Sequence, residues 1–331
     1  MPHDGWHPHD HSHDDEPHAH GHHHHHHGPP TRRAVLAAAT LLPFGAASAQ
    51  TVDAAQRIAD AANRFLASLD DTQRKRVLLA FEADNRIDWH YIPRSRAGLT
   101  LGEMQPAQAA VARTLFASVL NDEGLKLLDG VRLLEGVLRE QQGSFRDPGR
   151  YYVTVFGTPG RFPWGWRFEG HHLSLNVTLP AAGHVAVTPF FAGAHPLTVR
   201  DGPNRGFRLL GASEDLARQI MAGLTDAQRR SAIISDRSFG EIVASPQRER
   251  DLGQPRGLEL GAMNGASNAL VEALMDRFLG TLAPDLVAAQ KRRVMEQGIA
   301  AFRFAWAGSL VPGEAHYFRV HGPVTVIEYD N

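Results

Sequence analysis

The residues best equipped for chemistry stand together in the run Gly170-His171-His172-Leu173-Ser174-Leu175-Asn176-Val177-Thr178. An imidazole titrates near neutral pH, takes a proton when neutral and ligates a divalent metal through either nitrogen. Alternate residues of a strand share a face, so His172, Ser174, Asn176 and Thr178 are expected on one side. His171, Leu173, Leu175 and Val177 then fall on the other. Gly170 permits a bulge just before the pair. With a bulge the two rings converge, and without one they point apart. Two chemistries follow: a divalent metal such as Zn, Cu or Fe held by His171 and His172, or general acid–base work. The bland reading of the same residues is a solvated sheet face beside a hydrogen-bonded core histidine, with Glu169 as a surface ion-pair residue.

A second polar set lies near the end of the chain. Tyr317, Arg319 and His321 alternate with Phe318 and Val320, and after Gly322-Pro323 the residues Val324, Val326, Glu328 and Asp330 share parity. An arginine inside a strand needs a partner, which is either Glu328 or an anionic group of a substrate. His195 and His316 are single histidines and read as structural. Trp164, Trp166 and Tyr91 offer an aromatic platform for a small ligand. No G-x-S-x-G elbow, Walker A loop, H-E-x-x-H helix or G-x-G-x-x-G helix start occurs. Only Lys75, Lys126 and Lys291 are present for Schiff-base chemistry.

Apolar spacing at helical period covers Ala54–Leu69, Thr72–Phe81, Pro106–Leu120 and Glu123–Arg139, then Ser213–Ala222, Asp226–Ile233, Gly265–Leu279 and Pro284–Ala300. Between the second and third helices, a segment containing Trp89, His90 and Tyr91 is too aromatic for a simple linker. It is expected to lie against another part of the molecule. Short β-rich runs fill 151–210, at 151–157, 164–170, 171–179, 184–191 and 197–200, and three more close the chain at 301–307, 315–321 and 324–329. The order predicts an α+β fold, with an antiparallel sheet of short strands (about 150–210 and 301–330) flanked by helices. No internal repeat and no linker is legible, so 50–331 reads as a single domain.

Residues 31–49 combine the Arg32-Arg33 pair, a short apolar stretch and Ala47-Ser48-Ala49, the layout of a twin-arginine export signal cleaved near Ala49. Ahead of it, 13 of the 20 histidines of the 331-residue chain crowd a low-complexity leader. Seven remain after residue 49: His90, His171, His172, His184, His195, His316 and His321. The chain has 0 Cys, which excludes disulfides and thiolate metal sites. With 34 basic and 36 acidic residues it carries no footprint for nucleic acid or an anionic membrane. No later stretch is long and apolar enough for a stable membrane anchor. The expected partners are the twin-arginine export machinery and a small-molecule substrate, and the expected location is periplasmic or secreted.

Several motifs in order, Trp89…Arg96-x-Gly-Leu, Phe156-Gly-x-Pro, Pro163-Trp-Gly-Trp, Gly170-His-His-Leu-Ser-x-Asn, Thr188-Pro-x-Phe-x-Gly-Ala and Arg319-x-x-Gly-Pro-x-x-x-Ile-Glu-Tyr-Asp-Asn, resemble the DUF3500 family, a domain of unknown function. The resemblance spans most of 50–331 and implies secretion but no reaction. It further implies a His-x-His element and a Trp-Arg-Asp stretch beyond Asn331, which would join the His pair in a four-imidazole metal set. The sequence then reads as an exported metal-assisted enzyme, hydrolytic or oxidative, centred on His171 and His172 with Arg319, and holding substrate with Ser174, Asn176, Trp166 and Tyr91. The alternative is a non-catalytic periplasmic module that binds a small ligand in an aromatic and His-lined site.

Overall fold

Asp70 and Thr225 start helices in the same way. Each side chain accepts from the backbone N–H of the residue three further on, Gln73 or Gln228, whose own side chain accepts from the cap N–H in return. Such reciprocal caps satisfy two of the donors that a helix start leaves open.

The computed structural model describes residues 44–246 and 252–331. The chain runs α1 (Phe44–Ala67), α2 (Asp71–Val77), β1 (Leu78–Leu79), β2 (Leu99–Thr100), α3 (Pro106–Ala117), α4 (Asp122–Gln142), β3 (Tyr152–Thr158), β4 (Arg161–Gly170), β5 (Leu173–Leu179) and β6 (Phe190–Ala192). It continues as α5 (Gly211–Gly223), α6 (Asp226–Ala232), β7 (Ile233–Ser235), β8 (Leu258–Glu259), α7 (Gly265–Leu279), α8 (Pro284–Gln297), β9 (Arg303–Gly308), β10 (His316–His321) and β11 (Val326–Asp330). The His-rich leader and the Arg32-Arg33 pair lie outside the described residues. Among the described residues no helix is long and apolar enough to cross a membrane.

The fold is α+β, as expected, but the strands form two sheets, and both are mixed. One has the order β1-β3-β4-β5-β6 with β2 also on β3, and the other β11-β10-β9-β7 with β8 also on β9. β1 runs parallel to β3 and β7 parallel to β9. These partners are two or three residues long, too short for alternation to betray them in sequence. The strands expected at 184–191 and 197–200 shrink to β6 and one isolated pairing of Thr178 with Ala186. Pro189 and Pro196 have no N–H to donate to a ladder.

Contrary to the expectation of no internal repeat, the order α-α-β-β-α-α-β-β-β occurs twice, as α1–β5 and as α5–β11. The correspondence reaches single side chains. Arg74 donates to the carbonyls of Leu66 and Leu69, and Arg229 to those of Met221 and Leu224. The run Gly98-Leu99-x-Leu101-Gly102-x-Met104 returns as Gly257-Leu258-x-Leu260-Gly261-x-Met263. Leu99 pairs with Val153 on β3, and Leu258 with Phe304 on β9.

The halves meet at equivalent places. Leu120, in the α3–α4 turn, bridges Leu282, in the α7–α8 turn. The Asn121 N–H donates to Thr281 O at 3.1 Å, and the Ala283 N–H donates to Val119 O at 2.8 Å. Reciprocal bonds between matching turns are the mark of a two-fold relation. Each sheet has its own core, and Leu282, Ala283 and Leu286 of the second half pack into the first. Val153, Val155, Trp164, Trp166, Phe168 and Leu175 pack under α1 and α3, and Phe304, Trp306, Phe318, Val320 and Ile327 under α5 and α7. The opposite face of each sheet is polar, and residues 80–98 in the first half and 236–246 in the second lie over it.

Gly98 and Gly257 lead the chain into β2 and β8. Both have left-handed φ, +102° and +112°, and a Cβ on either would lie 2.3 Å from the carbonyl oxygen of Val153 or Phe304. Gly98→Ala and Gly257→Ala are each expected to lower unfolding free energy by at least about 2 kcal/mol in urea titrations, from backbone strain plus clash. A loss confined to one of the two would contradict the equivalence of the halves.

Candidate functional site

Gly170 and Leu173 face each other across the β4–β5 ladder, so His171 and His172 are the two residues of a tight hairpin turn and not part of a strand. The expected split of the pair to opposite faces therefore does not arise, and no bulge is needed to bring the rings together. His172, the second residue of the turn, has φ 58°, in the left-handed region. Its N–H donates to Tyr91 O at 2.8 Å, and its carbonyl accepts from the Gly193 N–H at 2.8 Å. Thus clamped, the two imidazoles stack with centroids 4.0 Å apart and planes inclined by 27°.

Around the pair stand groups from three other segments. Glu135 Oε2, from α4, lies 2.5 Å from His171 Nδ1, with side-chain exposures of 5% and 10%. Arg146 Nη1 lies 3.1 Å from His171 Nδ1 and 3.2 Å from its Nε2. The Tyr151 hydroxyl donates to His171 O at 3.0 Å, and its ring leaves no room for a Cβ at Gly170. His195 meets His172 edge-on at 6.5 Å. Burial first, then the neighbouring His171, His195 and Arg146, pushes the His172 imidazole down to about 3.

Glu135, Arg146 and His195 were not among the expected site residues. Glu135 had a legible signal. Leu128, Val131, Glu135 and Leu138 follow the spacing of a buried helical stripe, and a carboxylate on such a stripe needs a partner. Arg146 lies in the irregular stretch after α4, where no pattern marks it.

Ser174 and Asn176 are on the polar face of the first sheet, yet that face is not solvated. Asn176 Nδ2 donates to Ser174 Oγ at 3.0 Å and to Pro189 O at 2.8 Å, and both residues are buried. Glu169, expected at the surface, is the most enclosed charge there. It lies between Arg96 (Nε–Oε2 3.2 Å) and Arg167 (Nε–Oε1 2.7 Å), the three side chains being 1–3% exposed. The guanidinium of Arg167 also donates to Asn85 O and Arg86 O, and that of Arg96 to the carbonyls of His90, Ile92, Arg94 and Gly170. This network fastens the segment 80–98 over the sheet.

The aromatic platform is not assembled as expected. Trp164 and Trp166 face the helices, at 0% and 1% exposure, because their parity in β4 is that of the core. Tyr91 instead stacks on Phe191 at 4.5 Å, near Trp89, and its hydroxyl donates to Glu241 of the other half. The segment bearing Trp89, His90 and Tyr91 does lie against another part of the molecule, as its composition suggested.

Arg319 is in the second sheet, and among the described residues no contact joins it to His171 or His172. Its expected partner Glu328 faces it in the ladder, and the Tyr317 hydroxyl, which donates to Glu328, is also hydrogen-bonded to Arg319; Glu328 accepts from the Val243 and Ala244 N–H groups as well. His316, taken as structural, is buried between Trp306 and Tyr329.

A family model described as a protein of unknown function, DUF3500, matches residues 51–331. The chain belongs to that family. Neither a curated protein nor a solved structure matches it.

The state of His172 has a measurable consequence. In the unfolded chain its ring protonates near 6.5, whereas in the native turn it stays neutral down to about 3. The neutral native ring therefore contributes stability that is fully present above 6.5 and is lost as pH falls from there towards 3. Asparagine tolerates the left-handed turn and does not titrate, so His172→Asn is expected to flatten the stability profile over this window. A branched residue does not tolerate the turn, so His172→Val is expected to lose about 1–2 kcal/mol at neutral pH. An undiminished acid slope in His172→Asn would assign the loss to other groups.

Proposed function

We propose that this chain is an exported hydrolytic enzyme in which His171, oriented by Glu135, acts as the general base. The observation that carries this reading is the 2.5 Å contact between two nearly inaccessible groups, Glu135 Oε2 and His171 Nδ1. A carboxylate that accepts the Nδ1 proton holds the tautomer whose Nε2 carries the lone pair, and that lone pair takes a proton from water once Arg146 leaves it. Arg146, at 3.2 Å from Nε2, swings onto the anionic oxygen that develops as water adds to the substrate. Neutral His172 packs against the base without adding to the positive charge of Arg146, which the Glu135 carboxylate offsets.

Three points favour this acid–base version over chelation. The stacked rings set their in-plane lone pairs in nearly parallel layers instead of aiming them at one point. The guanidinium of Arg146 lies against both nitrogens of His171, where a dication would be repelled. Among the described residues no three His, Asp or Glu side chains come together in an arrangement able to hold a metal ion. The binding-module alternative loses support because Trp164 and Trp166 are core residues.

On a panel of p-nitrophenyl carboxylic and phosphoric esters, His171→Ala and Glu135→Gln are each expected to lower kcat/KM by about 100-fold or more. The double variant is expected to be hardly worse than either single one. Equal rates in parent and variants would overturn the reading. Element analysis of the protein without its His-rich leader is expected to find no stoichiometric transition metal. One equivalent lost in His171→Ala would replace the acid–base reading with a metal-assisted one.

The order of Arg32-Arg33, a weak apolar stretch and Ala47-Ser48-Ala49 supports export through the twin-arginine machinery to the periplasm. Replacing both arginines by lysine is expected to retain the protein in the cytoplasmic fraction of an expressing bacterium, read by immunoblot. Unchanged fractionation would exclude this route.

A further inference from the structure

The two sheets of the internal repeat differ by one strand. β1 to β5 correspond to β7 to β11, whereas β6, the outermost strand of the six-stranded first sheet, has no counterpart among the described strands of the five-stranded second one. The central arginines fix which positions are equivalent, since Asn176 faces Arg167 and Glu328 faces Arg319. Ser174 and Thr178, two residues to either side of Asn176, therefore correspond to Val326 and Asp330.

In the first half the chain itself covers the outer edge of β5. Thr178 and Ala186 exchange N–H···O bonds of 2.8 and 2.9 Å, the Asn176 N–H donates to Pro189 O at 3.3 Å, and Ser174 faces Phe191 of β6. In the second half His316 and Asn331 exchange both of their main-chain bonds. The alternation of an antiparallel ladder then points the N–H and C=O of Val326, Glu328 and Asp330 away from β10. Among the described residues no main-chain group pairs with these outward ones. Exposure follows the difference, Ser174 being 0% exposed and Val326 37%. An open edge of this kind is a template for one more strand.

The side chains along the edge indicate which strand fits. Where the first half has the uncharged Asn176 and Thr178, the second has Glu328 and Asp330. Asp330 Oδ1 accepts from the Ser238 hydroxyl at 2.9 Å, and among the described residues no Lys or Arg forms an ion pair with it. Burial above all, then the nearby Glu241 and Glu328, raise this carboxyl against the Ser238 hydroxyl and His316. The carboxylates also disfavour a second copy of β11 as the occupant, because an antiparallel pair centred on Glu328 sets like charges opposite each other. We propose that β11 is extended by an antiparallel strand of another polypeptide, a cationic segment whose alternate Lys or Arg residues lie opposite Glu328 and Asp330. Main-chain bonds to Val326, Glu328 and Asp330 supply its affinity, and the alternate charges supply its specificity. The edge makes no use of His171 or its chemistry.

A fluorescein-labelled peptide, Thr-Lys-Val-Lys-Val-Lys-Thr, tests this by anisotropy on the full chain at constant ionic strength. Saturable binding is expected, with the peptide that carries Glu in place of Lys at least about 10-fold weaker. Methylating the peptide nitrogens along one edge is expected to abolish binding, because main-chain bonds hold the strand. Val326→Pro removes an outward N–H that β10 does not use, so it is expected to abolish binding while Tm stays unchanged. Asp330→Lys is expected to erase the preference for Lys over Glu, a readout that does not require the proline variant to fold. His171→Ala is expected to bind as the parent does, which separates this edge from the proposed hydrolytic site. The absence of saturable binding, equal affinity for the Lys and Glu peptides, or full binding of the methylated peptide would each overturn the proposal. So would a dimer of the parent that Val326→Pro dissociates, since it would give the edge to a second copy.

Discussion

The carboxylate of Glu169, bound between Arg96 and Arg167 with all three side chains nearly sealed from solvent, is the interaction on which the first half depends. Breaking such a set by removing one member leaves an uncompensated buried charge, at a cost of about 3–5 kcal/mol. What it secures is position. Arg96 gathers the carbonyls of His90 and Ile92, so Tyr91 is fixed where its own carbonyl receives the His172 N–H. The stacked histidines, the Glu135 contact and the covering of Ser174 and Asn176 all rest on that placement. The chemistry lies on the turn, and its geometry comes from a network one layer beneath.

Seen through the repeat, the two halves are one frame with two electrostatic solutions. Both have a sheet with an apolar face under helices and a polar face under a covering segment. Both place an arginine at the middle of that polar face. The first neutralises it with Glu169, two residues along the same strand, and carries the histidine turn at the end of the hairpin. The second puts Gly322-Pro323 where the first has Gly170-His171, and sets Glu328 opposite its arginine on the neighbouring strand. Function on such a frame is decided by the few side chains that differ between equivalent positions.

Much of the fold was legible and much of the site was not. Helical period and caps located the helices, and alternation located β3, β4, β5, β9, β10 and β11. The strands β1, β2, β7 and β8 escaped because two or three residues carry no periodicity. With them went the division into two sheets and the repeat, although Gly98-Leu99-x-Leu101-Gly102 and Gly257-Leu258-x-Leu260-Gly261 were visible as a pair. His171 and His172 were singled out correctly as a pair, but parity rules put them on opposite faces because the turn was read as strand. Trp166 shows the converse error. Its aromatic surface suggested a ligand platform, whereas its parity with Trp164 and Phe168 already marked it as core.

By itself the sequence determined which segments are helical, which strands alternate, and where the histidine pair and the strand arginines fall. These are properties of neighbours within a few residues, set by capping, by side-chain period and by the turn that glycine allows. Only the tertiary structure decided that Glu135 meets His171 and that Glu169 joins Arg96 to Arg167. Each of those outcomes is an electrostatic match between residues far apart in the chain. Whether a buried charge is satisfied depends on what the other elements bring to it, and local sequence carries no record of that.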